Sequence, residues 1–174
     1  MRVLVIGAGK AVKEELARVD RADFDKVLSV NRAALLFAPV DVHLSLHPQE
    51  WAQRKVAWFV SFAGYRKAGK EWVDEIFDYQ WPEYPANSGS SGLYAVKYAM
   101  ERLGAAEVVL AGVGMDTTPH VYDNRAWKQA ERFRHTREKV APRLTGRVTS
   151  LGGWTAQLLG QPKNQPGDGH RQSI

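Results

Sequence analysis

Residues 87–116 read NSGSSGLYAVKYAMERLGAAEVVLAGVGMD. A run of small residues leads into an apolar stretch, a glycine, and a second apolar stretch that ends in glycines again. Leu93, Val96, Tyr98, Met100 and Leu103 spread apolar surface around most of a helix over 91–103, so this helix is expected to be buried. Gly104 suits its end. The run at 107–111 is short, continuous and β-branched, which predicts a strand buried on both faces. The small residues at 88–92 run straight into the helix, which argues against a flexible linker. One serine, Ser90 or Ser91, suffices as N-cap. The remaining serines and glycines are better explained by an anion seated against backbone N–H groups at a helix start. Ser88, Gly89, Ser90 and Ser91 are therefore candidate phosphate-binding residues.

Working outward, the same strand-then-helix alternation recurs. Strands are predicted at 2–6, 27–30, 42–46, 56–62 and 147–150, with a short one at 75–79. Helical segments are predicted at 10–19, 33–37, 49–53, 124–140 and 155–159, with Asn124 capping the penultimate one. The expected architecture is an α/β, Rossmann-like three-layer sandwich, with a mainly parallel sheet and helices on both faces. One domain is expected over 1–160. Residues 161–174, rich in Pro, Gly and Gln, have little to bury and are expected to form a disordered tail.

The composition narrows the function classes. The 174 residues contain no cysteine, which excludes disulfides, thiolate metal sites and cysteine nucleophiles and fits a reducing, cytoplasmic setting. No metal site is expected, and no apolar run is long enough to span a membrane. The formal net charge is +5, yet residues 124–147 hold eight Lys/Arg and two Asp/Glu, a local +6 against −1 elsewhere. A solvated helix face accounts for such a segment, and nucleic acid binding through 125–147 is the sharper alternative. Homo-oligomerisation stays open.

In a parallel sheet the ligand crevice lies beyond the carboxyl ends of the strands, so the residues there carry the functional reading. The first strand ends in Gly7-Ala8-Gly9-Lys10, a glycine turn into a helix. The second ends in Asn31-Arg32, where Arg32 is a candidate for the 2′-phosphate of NADP and makes an NADP-dependent oxidoreductase a rival reading. The third ends near His47, and the strand at 107–111 runs on through Gly112 and Gly114 to Asp116 and His120. His47 and His120 are the candidate general bases. Asp116 is a candidate for a ribose hydroxyl or a phosphate-bound cation.

These strand ends resemble a known group. Gly7-Ala8-Gly9-Lys10, Val30-Asn31-Arg32, Pro39-Val40-Asp41, the Ser88–Ala95 block with Leu103-Gly104, Val109-Leu110 and Gly112, and Val148–Gly153 are similar to the bacterial CMP-sialic-acid-dependent sialyltransferases and to domains related to the archaeal 6-hydroxymethylpterin diphosphokinase. The chain also resembles small uncharacterised bacteriophage and prophage proteins. The resemblance implies a nucleotide or nucleotide-sugar ligand in the crevice, with Gly7, Gly9 and Asn31 facing the nucleotide and Ser88 and Gly89 its phosphate. It implies a glycosyltransferase-like activity in which His120, Tyr94 or Tyr122 fills the role of a later lid histidine and tyrosines. Ala8 replaces the family's asparagine, and Lys10-Ala11 replaces its Pro-Ser. A non-catalytic protein with a nucleic-acid-binding helix is the third reading.

Overall fold

The computed structural model describes residues 1–62, 72–84 and 90–163. Its strands are β1 (Arg2–Ile6), β2 (Lys26–Val30), β3 (Val42–Leu44), β4 (Trp58–Ser61), β5 (Glu75–Ile76), β6 (Glu107–Ala111) and β7 (Val148–Ser150). The helices are α1 (Val12–Leu16), α2 (Arg32–Leu36), α3 (Pro48–Trp51), α4 (Ser91–Lys97), α5 (Ala130–Leu144) and α6 (Gly153–Leu159). The strands form one sheet in the order β5-β4-β3-β2-β1-β6-β7, and every neighbouring pair is parallel.

Period-two alternation divides each apolar run between two cores. Val3, Val5, Leu28, Val30, Val108 and Leu110 pack on one face with Leu93 and Val96 of α4, Val140 and Leu144 of α5, and Leu159 of α6. Leu4, Ile6, Val27, Val109 and Ala111 pack on the other with Val12 of α1 and Phe24. This is the expected sandwich, with both faces of the sheet covered.

The chain steps outward from β1 through β2, β3, β4 and β5, then returns to the opposite side of β1 as β6. The winding therefore reverses between β1 and β6. Loops diverge at such a switch point and leave a crevice beyond the strand ends.

Several boundaries differ from the sequence expectation. Strand β4 starts at Trp58, where it first pairs with Val42 of β3, and the exposed Val56 lies before it. The strand expected at 75–79 pairs only over Glu75–Ile76. Helix α4 widens into a π-turn over Tyr98–Arg102, which lets Tyr98 Oη and Arg102 Nε both donate to the Glu75 carboxylate. Helix α5 begins at Ala130, so Asn124 does not cap it. The preceding residues are held in turns, with Asp123 Oδ1 accepting from the Arg125 N–H and Thr117 O accepting from the Trp127 N–H. At its other end α5 runs past Pro142, because Val140, Ala141 and Leu144 are buried in the core. Of the expected tail, Gln161 accepts a hydrogen bond from Arg18 and Pro162 is buried, while 164–174 lie outside the described residues. No helix among the described residues is long and apolar enough to cross a membrane.

Candidate functional site

The crevice at the β1–β6 switch point has a volume of about 210 Å³. Its floor is a close backbone approach. The Gly7 N–H donates to Ala111 O at 2.7 Å and the Gly9 N–H to Gly112 O at 2.8 Å. The two glycines of the first turn thus bond to the neighbouring strand end rather than offering N–H groups to a phosphate, which corrects the reason expected for them. A β-carbon on Gly9 would sit 2.9 Å from Gly112 O, and one on Gly7 would collide with the same oxygen. Gly112 has φ +67°, a left-handed conformation natural to glycine. From below, the buried Glu15 of α1 accepts the Gly112 N–H at 2.6 Å. Burial pushes the Glu15 carboxyl above its ordinary range, against the lowering effect of that N–H.

One wall is built by backbone strain. Asn31 and Met115 are the non-glycine residues with positive φ among the described residues, at 49° and 58°, and both line the crevice. Such conformations persist only where their surroundings hold them, and they concentrate at functional sites. Asn31 is held by its side chain: Oδ1 accepts from Ser45 Oγ at 2.7 Å, and Nδ2 donates to Ser91 Oγ at 3.1 Å. Ser45 Oγ in turn accepts the His47 N–H at 2.9 Å, so β2, β3 and α4 are tied together at this edge. Met115 O accepts from Arg134 Nε at 2.9 Å.

The opposite wall is aromatic. His120 stacks on Tyr122 with ring centres 5.4 Å apart, and lies 5.3 Å from Trp127. Trp127 stacks on Phe133 at 5.5 Å. All four rings face the crevice. An antiparallel bridge between Gly9 and His120, with the Val121 N–H donating to Ala8 O, lays this segment across the glycine turn. Burial holds the His120 pKa below the ordinary histidine value, with Asp123 opposing, so the imidazole is neutral at pH 7 and able to accept a proton.

The structure therefore gathers Gly7, Ala8, Gly9, Asn31, His47, Ser90, Ser91, Asp116 and His120 around one crevice. Ser90 is the N-cap of α4, its Oγ accepting the Leu93 N–H at 3.2 Å. Asp116 Oδ1 accepts the Trp154 N–H at 3.2 Å. Lys10 and Arg32 do not line the crevice: both are exposed, and the Arg32 guanidinium packs 4.7 Å over the Tyr122 ring instead. Tyr94 is buried in the core beneath α4 with its Oη donating to Phe77 O, so of the two tyrosines only Tyr122 faces the crevice. Ser88 and Gly89 lie outside the described residues. Among the described residues no cluster of His, Asp or Glu is placed to hold a metal ion.

The aromatic wall is not legible in the helical periodicity of the sequence, because that pattern places Trp127 and Phe133 within one helix over 124–140, whereas α5 begins only at Ala130. Their spacing from His120 was the available signal. Most of the basic segment stays at the surface, but several of its charges are engaged within the protein. Arg137 is buried, Arg134 donates to Met115 O, Arg147 donates to Ala105 O, and Arg143 pairs with Glu83 and Glu101. Lys128, Arg132 and Lys139 are left without an ion pair among the described residues, a thinner basic face than the count of charges implies.

Neither a protein-family model nor a curated protein sequence matches this chain. Among solved structures, the chain is similar to a mammalian sialyltransferase, with a TM-score of 0.57 and 15% identity, over 87% of this chain and 69% of that one. At that identity the likeness is one of fold.

Proposed function

We propose that the crevice binds a nucleotide or nucleotide-sugar and that the protein is a glycosyltransferase-like enzyme. The observation that carries this reading is the meeting of a neutral histidine, a strained asparagine and a serine-capped helix start at one switch-point crevice walled by aromatic rings. Aromatic faces suit a nucleobase or sugar, and backbone and hydroxyl donors suit a phosphate. The sialyltransferase-like fold supports the same ligand class.

In such a transfer His120 accepts the proton of the acceptor hydroxyl as that oxygen bonds to the anomeric carbon. The bond from the anomeric carbon to the phosphate oxygen breaks, and the nucleotide leaves with the electron pair. Donors at Ser90 and Ser91 would stabilise the charge that develops on the departing phosphate.

Calorimetric titration with CMP, UDP and NADPH tests the binding reading. CMP or UDP should bind and quench the fluorescence of Trp127. Binding of NADPH alone would favour an oxidoreductase, and salt-sensitive binding of RNA or DNA in place of all three would favour a nucleic-acid-binding protein. Where transfer from a sugar nucleotide is detected, His120→Gln should lower kcat roughly 100-fold, in the usual range for loss of a general base. Because burial holds the His120 pKa below the ordinary histidine value, the parent enzyme should keep its rate further into acid than an unburied histidine base would allow, and lose it as the imidazole is protonated. An unchanged kcat in the variant would remove His120 from the role.

A further inference from the structure

Arg137 of α5 is 2% exposed, yet no carboxylate pairs with it among the described residues. Its neutral acceptors are Val113 O at 3.3 Å, Thr155 Oγ1 at 3.1 Å and Ser90 Oγ at 3.2 Å, and Nε has none. The contrast with Lys97 is instructive. That ammonium is as deeply placed, but it has Asp78 at 3.2 Å and Glu101 at 3.3 Å. An unpaired buried cation is expensive, and proteins usually supply it with a counter-charge.

The geometry shows where that counter-charge would sit. A serine hydroxyl has two lone pairs and one hydrogen. At Ser90 the lone pairs face the Leu93 N–H and Arg137 Nη2, both at 3.2 Å. The hydroxyl hydrogen is thereby left for a third group, and Ser90 lines the crevice. Gly92, in the same wall, lets Arg137 and Val113 pack against the start of α4: a β-carbon there would lie 3.2 Å from Arg137 Nη2 and 2.6 Å from Val113 Cγ1.

We propose that Arg137 is a positioning residue for an anion subsite, fixing Ser90 as a hydrogen-bond donor toward a phosphate oxygen of the ligand and supplying the positive charge behind it. Arg137 need not touch the ligand, because it acts through the Ser90 hydroxyl and through a short, poorly screened path. The proposal rests on the nucleotide reading for the identity of the phosphate's carrier, but its anion chemistry is tested independently.

The test titrates CMP, cytidine and inorganic phosphate against the parent protein, Ser90→Gly and Arg137→Gln. Ser90→Gly removes the donor while keeping most of the capping preference, so the fold is expected to survive. The parent should bind CMP at least tenfold more tightly than cytidine. Both variants should lose that advantage, with cytidine affinity changed less than twofold. Should Arg137→Gln fail to fold, Ser90→Gly carries the test alone. Equal losses for CMP and cytidine, or none for either, would reduce Arg137 to a structural brace between α5 and the residues after β6. Phosphate binding that depends on Ser90, without any nucleotide binding, would uphold the subsite while removing the nucleotide reading. Absence of binding by all three probes would overturn both.

Discussion

Gly7→Ala is expected to destabilise the protein by about 3 kcal/mol, the upper part of the usual range for an overpacked site. The added methyl would collide with the Gly112 carbonyl and approach Val113 Cγ2 to 2.8 Å. That carbonyl cannot simply retreat, because it accepts the Gly9 N–H, and the Gly112 N–H is held by Glu15. The ends of β1 and β6 must separate, which opens the crevice floor. Thermal unfolding should show a Tm lower by roughly 6–12 °C at this chain length. Gly104→Ala is the useful control. Nothing lies within 4 Å of its β-carbon position, and only its φ of +69° is unfavourable, so it should lose about 1 kcal/mol. Similar melting of the two variants would mean that β1 and β6 part easily at the switch point.

Acid should destabilise the fold through His43, which is fully buried on β3 against the edge of the Phe59 ring, 4.9 Å away. Burial is the main cause that lowers its pKa to about 4, with the Asn31 backbone opposing. The folded value lies below the unfolded value of about 6.5, so the unfolded chain binds the proton more readily. The stability associated with neutral His43 is complete above pH 6.5 and falls away as pH drops toward 4. The full shift corresponds to about 3 kcal/mol. His120, whose pKa is also depressed, acts in the same direction, and Glu15, whose pKa is raised, acts in the opposite one. The informative quantity is therefore the difference from His43→Leu. Urea unfolding at pH 7, 5.5 and 4 should show the parent losing stability more steeply than the variant. Equal acid slopes would show that native His43 can take up a proton without leaving its site.

The apolar runs at 2–6, 27–30 and 107–111 were legible as buried strands because each supplies side chains to both faces at once. The 91–103 helix was legible for a similar reason, since its apolar surface exceeds one stripe. Those two facts imply a parallel sheet between helical layers. Asn31, His47, Asp116 and His120 were legible as site candidates because the fold class places carboxyl strand ends along one edge.

Which of those ends meet was not legible. Strand order is set by long-range packing, and only the return of β6 beside β1 makes the crevice. The same contact decided what the glycines do, because the turn at Gly7 and Gly9 reads identically whether its N–H groups face a phosphate or a neighbouring carbonyl. Tertiary structure also withdrew Lys10 and Arg32 from the crevice wall and sent Arg137 inward. Sequence alone determined that residues 124–147 carry a charge of +6. Only the three-dimensional packing decided that one of those charges is buried behind Ser90 without a counterion among the described residues. A local pattern records charge and periodicity, but the electrostatic environment of a side chain depends on elements distant in the chain.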